Sequence, residues 1–203
     1  MAGGGVSGLS EFLLTCLPVH IQLTFNRNFI KMTMTSNIFI DNLNESISIQ
    51  GRNLVVDFFI TFSRFECALK ATILFANGNQ KKVEPNWDRF TASIRNDFNP
   101  EKNEILKNAV HFLLSEPPRI QVLISNTLEW RNRLFDENTP VTNKLSLHIR
   151  DIRNNLFHGG KYNGNFEPEV SRNYKLIESA MIVLNEWLSL NEAVRANFLK
   201  EIH

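Results

Sequence analysis

Phe58, Phe62, Phe65, Leu69 and Ile73 recur at steps of three and four residues. That interval matches the 3.6-residue turn of an α-helix and gathers large apolar side chains into one stripe. Such a stripe needs other apolar surfaces to cover it, so the chain must build a packed core around a helix over residues 54–76. Asn77-Gly78-Asn79 reads as its stop signal. Sixteen phenylalanines against two tyrosines make that core aromatic. The stripe is core, not a cofactor box.

The rest of the chain supplies partners for it. Pro85-Asn86-Trp87-Asp88 reads as the entry to a second helix that runs to about residue 96. A third starts at Asn99-Pro100-Glu101 and runs to about residue 114, with Ile105, Leu106, Ala109, Val110 and Leu113 to one side. Pro117-Pro118 breaks helical structure. Residues 119–132 alternate in a β-like manner and predict a small hairpin turning near Ser125-Asn126, although 128–134 also fits a helix. A fourth helix begins near Thr139-Pro140 or Thr142 and reaches His158. Asn163-Gly164-Asn165 and Glu167-Pro168-Glu169 form a loop. The fifth helix, 170–189, carries Tyr174, Ile177, Met181, Leu184 and Leu188, and a short amphipathic helix over 192–202 follows. The fold class expected is all-α, a helical bundle with a small β-hairpin insertion.

Residues 1–36 read as an N-terminal extension and 37–203 as the helical domain, with 37–48 as a lead-in. Met1-Ala2-Gly3-Gly4-Gly5 opens a stretch without clear period. Two readings of it stay open. Either the domain proper starts at Met32 or Met34, or the extension is an accessory arm.

Charge narrows the function. The 203 residues hold 22 basic and 21 acidic side chains, a net charge of +1, which excludes a basic coat that grips nucleic acid everywhere. Any RNA contact has to be local. Cys16 and Cys67 give neither zinc spacing nor a disulfide framework, so a reducing cytoplasm is the expected location. His20, His111, His148 and His203 show no ligand-like spacing and read as solvated or core-edge residues, so no metal and no cofactor is expected. The apolar run 12–23 is broken by Pro18 and His20, and it has no lysine or arginine before it. It therefore predicts neither a membrane span nor a signal peptide.

One polar stretch stands out against this helical background. Ile149-Arg150-Asp151-Ile152-Arg153-Asn154-Asn155-Leu156-Phe157-His158-Gly159-Gly160 places an arginine, two amides and a histidine on the last turns of the fourth helix, with glycines to stop it. A histidine at the C-terminal end of a helix dipole is favoured in its protonated form. With an arginine one turn back, it suits the gripping and cleavage of a phosphodiester. Asn154 and His158 share a helix face. Arg153 and His158 stand five residues, or about 140°, apart around the axis. The long arginine has to reach round, or a second copy of the helix has to complete the site.

Arg153-Asn154-Asn155-Leu156-Phe157-His158 resembles the Arg-polar-x-x-x-His signature of HEPN domains, and the segment from Phe58 to Lys70 is similar to the first long helix of one HEPN branch. The resemblance spans residues 51–187. It implies a helical domain acting as a metal-independent RNA endonuclease of toxin–antitoxin or phage-defence systems, with RNA as substrate. It also implies a homodimer whose two Arg/His motifs line one cleft, with an antitoxin or other defence protein as a further partner. Carried onto this chain, His158 is the acid/base, Arg153 the phosphate clamp and Asn154 an orienting amide.

Other readings stand beside it. Arg153 could cap carbonyls or pair with Asp151, with His158 a plain helix-capping residue. The whole domain could be a non-catalytic HEPN module that binds a partner protein or a nucleotide, or a plain helical scaffold. Glu66 borders the apolar stripe, where it would pair with Arg153 or, at the surface, with Lys70. Ser63 and Arg64 are candidates to border the same cleft, with solvation the alternative for Arg64. Lys81-Lys82 and Arg131-Asn132-Arg133 are short basic clusters for which solvent exposure is the default.

Overall fold

A computed structural model describes residues 41, 45, 47–78, 82–157 and 170–201. The readings made for residues 1–36, for most of the lead-in 37–48, for His158-Gly159-Gly160 and for the loop 163–169 lie outside the described residues. The chain divides into two compact units, 1–48 and 49–203, and all elements below belong to the second. Its described residues are mostly helical, with two small antiparallel hairpins.

Helix α1 spans Ile49–Ala71 and buries Phe58, Phe62, Phe65, Ala68 and Leu69, the stripe that its spacing dictates. It stops earlier than Asn77-Gly78-Asn79. Thr72 turns its hydroxyl back onto the Ala68 carbonyl at 2.9 Å, a local bond that competes with helix continuation. A 3₁₀ turn, Ile73–Phe75, follows. Ile73 is consequently 87% exposed rather than part of the stripe, while Phe75 is buried. Strand β1 (Ala76–Asn77) then pairs with β2 (Glu84–Pro85).

Helix α2 (Trp87–Ile94) starts where Asn86 accepts a hydrogen bond from the Arg89 backbone N–H at 3.0 Å. Asn86→Ala removes this N-cap and should cost about 1 kcal/mol. A lowered Tm with native circular dichroism is the expected result. Helix α3 (Glu104–Ser115) begins five residues after Asn99. Asn99 closes a turn onto the Glu101 N–H instead, and Asn103 is the cap, accepting from Leu106 at 2.9 Å.

Strands β3 (Arg119–Ile124) and β4 (Thr127–Asn132) form the expected hairpin, in register from Arg119↔Asn132 to Ile124↔Thr127. Ser125 and Asn126 adopt φ of 47° and 65°, the left-handed pair that a two-residue hairpin turn requires. Helix α4 (Val141–Phe157), α5 (Val170–Leu190) and α6 (Glu192–Leu199) are the remaining elements among the described residues.

Helix α3 packs along α5, α1 against α5 and α6, and α2 against α4. Trp87 lies 5.4 Å from Phe65 at an interplanar angle of 7°, and Phe90 meets Phe65, Phe75 and Trp187 edge-on. This aromatic cluster ties α1, α2 and α5 together, with the offset and edge-to-face contacts that ring quadrupoles favour. Against it, α4 turns Leu145, Ile149, Ile152 and Leu156 inward. The core thereby fixes the rotation of α4, and with it the direction of every polar side chain on that helix.

Candidate functional site

Two flanks of α4 are tied down by polar residues. On one, Asn155 donates from Nδ2 to the Arg119 carbonyl at 2.8 Å, joining the helix to the start of β3. One turn earlier, Asp151 accepts two bonds from Arg133, Nε at 2.8 Å and Nη2 at 2.6 Å. Asp151 is thus the partner of Arg133, not of Arg153. The Arg133 pKa is raised, first by its side-chain hydrogen bond to Asp151, against the desolvation of its burial.

On the other flank lies Arg153. Its guanidinium carbon stands 5.8 Å from the centroid of the Phe62 ring on α1, a cation–π contact. Its Nη1 donates to Asn154 Oδ1 at 3.0 Å. The arginine is half-buried and Asn154 exposed, so a planar cation rests on an aromatic shelf with a neighbouring amide fixing its edge. A guanidinium held in fixed geometry suits the recognition of a phosphate or carboxylate. Helix α4 ends at Phe157, one residue before His158, which lies outside the described residues.

The supporting residues are placed differently from the reading of Glu66, Ser63 and Arg64 as one cleft border. Glu66 accepts from the Trp87 indole N–H at 3.2 Å, a bond from α1 to α2 in place of one to Arg153 or Lys70. Arg64 donates from Nε to the Phe198 carbonyl at 2.7 Å and from Nη2 to the Lys200 carbonyl. It satisfies carbonyls at the end of α6, a role that basic side chains commonly take at helix C-termini, where the last carbonyls lack intrahelical partners. Ser63 is exposed. Among the described candidate residues, Arg153 and Asn154 are the two that meet directly.

Comparisons with known proteins assigned no relative: no family model, curated protein or solved structure matched the chain. Among the described residues, no group of three or more His, Cys, Asp or Glu is placed to hold a metal ion. Among them, too, no helix is long and apolar enough to cross a membrane.

A second polar cluster corrects the sequence reading of His148 as solvated or core-edge and of Arg133 as solvent-exposed by default. His148 is buried, with its ring edge-on to Phe135 at 5.1 Å and its Nδ1 without a hydrogen-bond partner. Burial pushes its pKa down to about 4; the charge of Asp151 opposes the shift, and those of Arg133 and Lys144 add to it. His148 and Asp151 are three residues apart, so one helix face carries both. That spacing was the available signal.

Proposed function

We propose that this chain is a metal-independent RNA endonuclease of the HEPN type, working in a toxin–antitoxin or phage-defence system. The observation that carries the reading is the Arg153–Asn154 pair, hydrogen-bonded at the end of α4, with Arg153 five and Asn154 four residues before His158 in sequence. RNA brings its own nucleophile. The 2′-hydroxyl gives up its proton to a histidine, and the 2′-oxygen attacks the adjacent phosphorus. The bond to the 5′-oxygen breaks, and that oxygen leaves with a proton from a second acid. Arg153 binds the non-bridging oxygens, whose charge grows in the transition state. The products are a 2′,3′-cyclic phosphate and a 5′-hydroxyl. In a homodimer, two copies of His158 at one cleft divide the base and acid roles.

The near-balanced charge of +1 favours a second reading, a non-catalytic HEPN module that binds a partner protein or nucleotide. Induced expression of wild type beside Arg153→Ala and His158→Ala, with total RNA run on a gel, separates the two. The nuclease predicts growth arrest and RNA fragmentation that both substitutions abolish. Equal, harmless expression of all three proteins with intact RNA would overturn it.

A further inference from the structure

Beside α4, on the flank that faces away from Phe62, lies a cleft of about 320 Å³. That volume is at the lower end of the roughly 300–1,000 Å³ of small-molecule pockets. One wall is apolar: Leu114 from the end of α3, Pro117 and Val141, with Leu114 and Val141 37% and 40% exposed. Phe135 and His148 form another part of it, edge to face. Large apolar side chains left open around a concavity are a feature that ligands cover.

The polar groups set the charge of the occupant. Arg133 and Lys144 both line the cleft, and among the described residues that line it there is no carboxylate. The Arg133 charge is matched by its bidentate contact to Asp151, which itself is only 3% exposed. Lys144 holds its Nζ 5.9 Å from the Phe135 ring centroid, at the cleft. His148 is neutral at pH 7, because burial depresses its pKa to about 4. Over the described lining residues the sum is therefore one positive charge, carried by a lysine beside an aromatic and apolar wall. A dianion such as inorganic phosphate would leave a charge uncompensated next to Asp151, and an uncharged ligand would leave Lys144 unused.

We propose that this cleft is a binding site for a small organic monocarboxylate, with its apolar body on Leu114, Pro117, Val141 and Phe135 and its carboxylate on Lys144. This site goes beyond RNA cleavage and does not rest on it: Lys144 and Arg153 are different residues on different flanks of α4.

Titration calorimetry of the full chain at pH 7 with 3-phenylpropionate tests the proposal. The expected result is one-to-one binding, at least tenfold weaker for the neutral 3-phenylpropanamide and at least tenfold weaker in Lys144→Ala. Val141→Glu is a second variant. It puts a carboxylate at the cleft in the first turn of α4, where negative charge suits the helix dipole, so the fold is retained and acid binding is lost. Circular dichroism checks both variants. Absence of binding by the wild type, equal binding of acid and amide, or undiminished binding by a folded Lys144→Ala protein would overturn the proposal. So would inorganic phosphate binding more tightly than the acid.

Discussion

Arg133→Ala should destabilise the protein by about 3–5 kcal/mol, as removal of one partner from a buried ion pair does. Asp151 is 3% exposed, and the guanidinium of Arg133 gives it two bonds, at 2.8 and 2.6 Å. Without them its charge is buried with no matching cation, and the loss comes from that unpaired carboxylate more than from the missing attraction. Arg131 provides the control two residues away. Its pair with Glu129 has side chains 58% and 43% exposed, where solvent screens the attraction, so Arg131→Ala should change stability by no more than about 1 kcal/mol. Urea unfolding of the two variants reads the difference directly. Similar losses in both would show that Asp151 does not depend on Arg133.

Acid should weaken the fold through His148. Its folded-state pKa lies at about 4 against an ordinary 6.5. Between those values the unfolded chain holds the proton and the folded one does not. Stability from this residue is therefore complete above about pH 6.5 and lost progressively as pH falls towards 4. The shift corresponds to about 3 kcal/mol by pH 4. Asp151, Arg133 and Lys144 are the charged groups acting on the ring: the first favours its protonation, the other two oppose it. His148→Phe keeps an aromatic ring against Phe135 and cannot titrate. The stability of the wild type minus that of the variant should be flat above pH 7 and fall by about 3 kcal/mol at pH 4. Parallel curves would contradict a buried, neutral His148.

The helices were legible because their cause is local and periodic. Phe58, Phe62, Phe65 and Leu69 lie on the buried side of α1 as their spacing requires, and Ser125-Asn126 turns the β3–β4 hairpin. Ends were less legible. Asn77-Gly78-Asn79 is a strong stop signal, yet the Thr72 hydroxyl ends α1 first, and Asn103 outcompetes Asn99 as the cap of α3. Polar pairing was the least legible, because it joins residues far apart in sequence. Glu66 finds Trp87, Arg64 finds carbonyls 134 and 136 residues away, and Asp151 finds Arg133 rather than Arg153. Nothing in the local pattern of a charged residue encodes which distant partner the packed core will bring to it. At the candidate site, a local motif placed Arg153 and Asn154 at the end of α4, whereas the Phe62 shelf beneath Arg153 follows from how α1 and α4 pack.

The central claim is tested most directly with purified protein and a defined RNA in excess EDTA, followed by analysis of the product ends. Cleavage that persists in the chelator is expected, leaving 2′,3′-cyclic phosphate and 5′-hydroxyl termini. Arg153→Ala and His158→Ala should each slow it by roughly 10²–10⁴-fold. Cleavage that stops in EDTA, 5′-phosphate ends, or full activity in folded His158→Ala protein would contradict the account.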